Sequence, residues 1–366
     1  MNLEEILHDP RFRLPLVNAG KEDFLNFLAD LFDAYIAELH RAPALLGAYP
    51  AQHMLTDDFI ATARQISDDV LEILELRVAG SPDCWTKFEH FMERITWAMM
   101  IPQSYIANLP KGAEYFRCVQ SRAAEPKSRF FHTPFHMREK VRHSRFSLDG
   151  VPSLYLANSL SSGYLECRAP GMDHFQAAKF KSNLDLKLLN LDYHLGLVTT
   201  PEDGFNHQRL GVLYPFYAAC FTIYSDGSNF PEEYILSMMV ASWVKHRGVF
   251  DGILYPSTKT ASVNFNHRFI NLVFPPKLST RRGYCTYLKD KVFDMSEVCT
   301  WTKDQAEIEA YFTANYPASG AIINPDVITI EWPVGNGATP YDETNIGQME
   351  YFMHHHDDML TKTIDF

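Results

Sequence analysis

A chain of 366 residues, 46% hydrophobic and 21% charged, has the make-up of a globular protein with a sizeable core, and its length suits two packed units better than one. A formal net charge of −12 argues against a general binder of nucleic acid or anionic membrane, yet leaves room for a local basic pocket. The six cysteines are scattered without a C-x-x-C pair, which disfavours a disulfide framework or zinc knuckle and fits a reducing compartment.

The opening stretch, MNLEEILHDPRFRLP, is acidic where a signal peptide would be basic. Apolar runs such as Tyr234 to Val244 fall short of the roughly 20 residues that span a bilayer. A cytoplasmic protein without a membrane partner is therefore expected.

Phe24, Leu28, Leu31, Tyr35 and Leu39 fall on one helix face. A second helix is expected from Thr56, with Asp57 and Asp58 in its first turn, to a stop at Gly80. A third opens with Ser81 as N-cap and Pro82 at the first helical position, then carries Trp85, Phe88, Met92, Ile95 and Met99 along a stripe. Residues 1–110 thus read as a helical bundle, with no polar constellation that suggests catalysis. Its apolar faces leave room for self-association into a homo-oligomer.

The texture changes at Asn108-Leu-Pro-Lys-Gly-Ala113. Short β-type runs follow at Glu114 to Val119, Ser153 to Ala157, Leu184 to Leu191, Gly252 to Tyr255 and Ile270 to Phe274. One helix interrupts them. It starts at Pro231, has Glu232 and Glu233 in its first turn and Lys245, His246 and Arg247 in its last, and ends at Gly248. Irregularly mixed strands and helices indicate an α+β domain over 111–280 rather than a doubly wound sheet. Thr199 to Arg209 reads as an insertion able to form a lid or loop. The tail, 281–366, holds a helix candidate (Lys303 to Asn315), a β-like run (Val327 to Trp332) and a turn-rich stretch from Pro333 to Pro340, and its packing is left open.

Phosphate-loop, dinucleotide-fingerprint, nucleophile-elbow and H-E-x-x-H motifs are all absent. The histidine groups His132/His136/His143 and His354-His355-His356 lack the ligand set of a metal site, so no metal is expected.

The informative stretch is Phe116-Arg-Cys-Val119, then Phe131-His-Thr-Pro-Phe135, then Arg145-Phe-Ser147 and Gly150-Val-Pro-Ser-Leu-Tyr-Leu-Ala157, then Gly163-Tyr-Leu-Glu-Cys167. Asp251-Gly-Ile-Leu-Tyr-Pro-Ser257 and Asn271-Leu-Val-Phe-Pro-Pro276 follow in order. This succession resembles the RES domain family, named for its arginine, glutamate and serine, over about Glu114 to Lys277. The resemblance implies an ADP-ribosyltransferase-like fold and a reaction on NAD+ as substrate, with no further cofactor. It also implies a growth-arresting toxin, often paired with a small antitoxin protein. Carried over, the family's arginine falls on Arg145, its glutamate on Glu166 and its serine on Ser257, as catalytic residues. Its tyrosine falls on Tyr155, and a further arginine on Arg117, as substrate-binding residues.

The residue types suit that chemistry. Cleaving the nicotinamide–ribose bond passes through an oxocarbenium-like state, as in glycoside hydrolysis, and nicotinamide leaves neutral, so one carboxylate suffices. Guanidinium groups grip pyrophosphate bidentately. Singly, each residue has a plainer reading. Arg145 is then a surface arginine, Tyr155 a strand residue, Glu166 a solvated helix residue and Ser257 a strand cap, with Ser262 nearby as its rival. Two alternatives accompany glycohydrolase or phosphorylase activity: transfer of ADP-ribose to a macromolecule, and an inactive scaffold in which the helical leader matters most.

Overall fold

The computed structural model describes residues 2–18, 23–42, 56–98, 105–141, 143–148, 150–194, 201–223, 231–260, 269–277, 280–315, 329–330, 339–341, 344–356 and 360–361. Helices α1 (Leu3–His8), α2 (Phe24–Arg41), α3 (Thr56–Val78) and α4 (Asp83–Ala98) come first, with strand β1 (Leu16–Val17) after α1. Strands β2 (Ile106–Leu109), β3 (Glu114–Gln120) and β4 (Leu154–Ala157) lead to α5 (Leu160–Cys167), β5 (Phe175–Ser182) and β6 (Leu186–Asn190). Next are α6 (Pro201–Phe221), β7 (Thr222–Ile223), α7 (Ile235–Arg247), β8 (Gly252–Pro256) and β9 (Ile270–Phe274). The tail adds β10 (Phe293–Ser296), β11 (Cys299–Thr300), α8 (Trp301–Asn315), β12 (Thr329–Ile330), β13 (Thr339–Pro340), α9 (Asn345–His355) and β14 (Leu360–Thr361).

These elements gather into two units. One comprises Met1–Ile106, His143–Leu148 and Tyr193–His246, and the other Ala107–Arg142, Asp149–Asp192 and Arg247–Phe366.

In the helical unit, α3 packs on α2, α4 and α6. The buried stripe of α2 is Phe24, Leu28, Phe32, Tyr35, Ile36 and Leu39. Leu31, expected in that stripe, is only half-buried, because a 3.6-residue repeat carries the face through Phe32 instead. On α4, Phe88, Met92 and Ile95 are buried but Trp85 is 40% exposed, and Met99 lies outside the described residues. The stretch read as a lid or loop is helical from Pro201 onward, where it forms the first turns of α6; Thr199 lies outside the described residues. Its hydrophobic content explains the difference: Leu210, Leu213, Tyr214, Phe216 and Tyr217 are all buried. Gly211 lets α6 pass close to its neighbours, since a Cβ there would stand 2.8 Å from Leu3 and 2.9 Å from Phe59.

The sheet unit is α+β, as expected. Its ten-stranded sheet runs β14-β10-β5-β3-β4-β9-β8-β6-β2, with β11 also pairing β5. Most pairings are antiparallel, and β6–β8 is parallel. Leu184, expected to begin a strand, is 40% exposed, and β6 starts at Leu186, which is buried.

Period-two alternation gives the sheet two apolar faces. Tyr115, Leu154, Leu156, Phe180, Leu188, Leu272 and Phe274 pack on one side. Phe116, Phe175 and Ala177 pack on the other, with Leu160 of α5, Ile308 of α8 and Met349, Phe352 and Met353 of α9. The tail, whose packing the sequence left open, therefore extends this sheet through β10, β11 and β14 and covers one face with α8 and α9. The expected helix at Lys303 to Asn315 is α8, which begins two residues earlier at Trp301.

Candidate active site

Glu166 lies in the last turn of α5, a helix whose start is set by Ser159: its side chain accepts from the Ser162 amide. The helix sits directly on β3. A Cβ added at Gly163 would meet Cys118 Sγ at 2.2 Å, so only glycine permits this approach. Arg168 ends the helix in the left-handed conformation, φ 51°.

That seating brings the Glu166 carboxylate to the ends of β8 and β9. Ser257, one residue beyond β8, donates from Oγ to Glu166 Oε1 at 2.5 Å, and Asn271 of β9 donates from Nδ2 to the same oxygen at 2.6 Å. Ser257 is itself fixed: its Oγ accepts from the Lys259 amide at 3.1 Å, and its own amide donates to Phe269 O at 2.8 Å. Ser257 and Asn271 are buried while Glu166 is half-buried. Among the described residues, Oε2 of Glu166 receives no hydrogen bond from a side chain. One carboxylate oxygen is thus held by two donors, which fixes the orientation of the carboxylate.

Asn271 is paired with Ala157 on one side and Tyr255 on the other. Tyr155 alternates with the buried Leu154 and Leu156, so it stands on the Ala157 and Asn271 side of β4. Tyr155, Glu166, Ser257 and Asn271 therefore belong to one side of the sheet.

Arg117 is placed differently. It pairs with Ala178, between Tyr115 and Val119, and so leaves β3 on the face opposite α5. β3 and β4 share the single paired position Phe116↔Ala157, and Arg117 Nη1 donates to the Tyr155 carbonyl at 3.1 Å at this seam. Burial draws its pKa down, the nearby Cys118, Tyr155 and Tyr255 partly opposing and Arg129 adding to the effect. Its Nε is buried without a hydrogen-bond acceptor, and no carboxylate among the described residues pairs with it. A buried donor without an acceptor is costly, which singles Arg117 out.

Arg145 belongs to the helical unit. It is buried, not the surface arginine of the plain reading, and its guanidinium bonds Cys220 O and, at 2.9 Å, Thr222 O. It lies 5.6 Å from the Phe221 ring centre and 5.0 Å from that of Tyr234. The next residue, Phe146, is held at φ 58°, a conformation that costs a bulky residue about 1 kcal/mol. Ser262, the rival to Ser257, lies outside the described residues.

His132 and His354 make structural contacts. His132 uses both ring nitrogens, Nδ1 toward Thr133 O and Nε2 accepting from Cys285 N, and burial lowers its pKa to about 4. His354 pairs with Glu114. Among the described residues, no group of three His, Cys, Asp or Glu side chains is arranged to hold a metal ion. Burial raises the pKa of the Cys167 thiol to about 11 and pushes that of Cys118 well up from its ordinary value, which disfavours the thiolate at both.

The RES domain profile matches residues 117–282, a span that begins at Arg117 and takes in Tyr155, Glu166, Ser257 and Asn271. The chain carries a RES domain. It is also similar, at 23% identity over 362 aligned positions, to the protein named "Putative toxin YopC" from Bacillus subtilis (strain 168). That alignment covers 93% of this chain and 78% of the relative, so the likeness reaches beyond the RES domain into both the helical leader and the tail. No solved structure matches the chain. Among the described residues, no helix is long and apolar enough to cross a membrane.

Asn271 is the site residue that the sequence quoted without assigning. The signal was available: an amide in the Asn271-Leu-Val-Phe274 strand is an unusual occupant of a run of otherwise apolar residues.

Proposed function

We propose that this RES protein is a toxin that consumes NAD+, with Glu166 as the carboxylate that serves the cleavage of the nicotinamide–ribose bond. The observation that carries the reading is the pair of donors, Ser257 Oγ and Asn271 Nδ2, on one oxygen of Glu166. Held this way, the carboxylate is aimed. Its second oxygen is available to a ribose hydroxyl, or to the incoming water or phosphate, as positive charge develops on the sugar. Nicotinamide leaves as a neutral molecule, so the site needs no matching general acid.

Arg117 supports the same substrate class. Its buried, unsatisfied Nε suits a pyrophosphate oxygen, while its side chain leaves the sheet on the face opposite Tyr155 and Glu166 and touches that strand through the Tyr155 carbonyl. Tyr155 offers a ring for the nicotinamide. Arg145 keeps the catalytic role implied by the family pattern only as a proposal, because its guanidinium is engaged by the Cys220 and Thr222 carbonyls. An ADP-ribosyltransferase-like relationship of the fold, and a small antitoxin that covers the site, belong to the same reading.

Inducing the gene in a heterologous host tests it. Cellular NAD+ should fall and growth should stop for the wild type, and neither should occur for Glu166→Ala. Chromatography of the products from purified protein, with and without phosphate, separates glycohydrolase from phosphorylase. ADP-ribose on a macromolecule instead would select the transferase alternative.

A further inference from the structure

The polar group formed by Tyr341, Glu350 and His354 lies outside the matched RES domain. Glu350 of α9 is 7% exposed, and its Oε2 accepts from the Leu160 amide at 2.7 Å and from the Tyr341 hydroxyl. Its Oε1 faces His354 Nε2 at 3.7 Å. His354 Nδ1 in turn meets Glu114 Oε2 on β3 at 2.5 Å, and Lys179 and Lys181 of β5 stand 3.3 and 3.5 Å from Glu114 Oε1.

A buried carboxylate is unfavourable unless its oxygens find donors. One of those donors is the first amide of α5, where a helix leaves its N–H groups unsatisfied and its dipole favours negative charge. Ser159 serves the Ser162 amide of the same turn, so Glu350 completes the cap from another part of the chain. α5 has eight residues, too few to hold its shape unaided, and must be fixed by what it touches. Its far end carries Glu166, six residues from Leu160. A tilt at the capped end therefore displaces the carboxylate from Ser257 and Asn271, which are fixed on the sheet.

We infer that Glu350, supplied by the C-terminal helix α9 from outside the RES domain, is a positioning residue that sets the aim of Glu166 through α5. The inference rests on Glu166 being the working carboxylate, but the contact with α5 can be read independently of turnover.

The test uses full-length protein made by cell-free translation and compares Glu350→Ala, Glu350→Gln and Tyr341→Phe with the wild type. Hydrogen exchange of amides 160–166 is measured beside the kcat and KM for NAD+. The expected result for Glu350→Ala is faster exchange confined to α5, kcat lower by about tenfold or more, and KM within a factor of two or three. Glu350→Gln retains an oxygen for the Leu160 amide and should recover most of the loss. Tyr341→Phe removes one donor without emptying the space, and provides the reading if Glu350→Ala does not fold; it should show a smaller change in the same direction. Exchange and kcat that stay at wild-type values in the variants, or fall in kcat without any change at α5, overturn the inference. If α5 loosens as described while the wild type leaves NAD+ intact, the positioning contact stands and the NAD+ reading fails.

Discussion

Asn271 Nδ2 and Glu166 Oε1 lie 2.6 Å apart, and this contact joins the end of a short helix to a central strand of the sheet. Ser257 reaches the same oxygen from the neighbouring strand. Two donors on one carboxylate oxygen hold the side chain against rotation.

Removing either donor should therefore cost turnover more than binding. A hydrogen bond to a charged group is worth about 1.5–3 kcal/mol, so Asn271→Ala is expected to lower kcat by roughly 10- to 100-fold with a smaller change in KM. Asn271→Asp should be worse than Asn271→Ala, because it sets a second negative charge against Glu166. Steady-state kinetics of the three proteins decides the order; equal kcat values would remove Asn271 from the site.

Arg117 is expected to act on binding. Arg117→Gln should raise KM for NAD+ by about 10-fold or more while kcat changes less, and Arg117→Lys should recover only part of the loss because an ammonium lacks the planar fork. Competition by inorganic pyrophosphate should weaken in step. A KM unaffected by both substitutions would mean that the unsatisfied Nε serves no anion.

Gly163 tests the seating of the helix. Its would-be Cβ stands 2.2 Å from Cys118 Sγ and 3.0 Å from Cys118 Cβ, so Gly163→Ala must push α5 off β3. Overpacking of this kind destabilises by about 1–3 kcal/mol. Thermal unfolding should show a lower Tm, and Cys118→Ala in the same chain should restore part of it by removing the sulfur. An unchanged Tm in the single variant would contradict the close approach.

His354 predicts an alkaline limit to stability. Burial alone would lower its pKa, but the hydrogen bonds and charges of Glu114 and Glu350 prevail and raise it to about 9. The folded value lies above the unfolded one, near 6.5, so the stabilisation is complete below pH 6.5 and is lost as pH rises through 9. It amounts to about 3 kcal/mol at its fullest. Denaturant titrations at pH 6, 7.5 and 9.5 should trace the decline, and His354→Gln should flatten it. A wild-type profile that stays level to pH 9.5 would show that His354 is not held as the cation.

Much of the fold was legible in the sequence because local patterns decide it. Ile270 to Phe274 is a strand at the residues expected, and the Thr56 helix begins where its acidic first turn indicates. What was misread depended on distant partners. The α6 segment looked like a lid because its opening is polar, yet its later turns supply core to the helical unit. The tail showed only weak periodicity, and its strands acquire meaning through pairing with β5, more than a hundred residues away. Within the site, Glu166 and Ser257 could be named from motif order. Asn271 could not, because its role arises from a side-chain contact 105 residues distant in the chain. Arg117 was named, but its position on the face away from α5 follows only from the register with Ala178.

Nicotinamide released from NAD+ by purified wild-type and Glu166→Gln proteins, at equal concentration and followed to completion, tests the central claim most directly. The carboxylate role predicts steady release by the wild type and a rate lower by at least about a thousandfold in the variant, since Gln keeps the shape of the side chain and removes the charge. Equal release by the two proteins, or none by the wild type with no ADP-ribose found on any macromolecule, would contradict it.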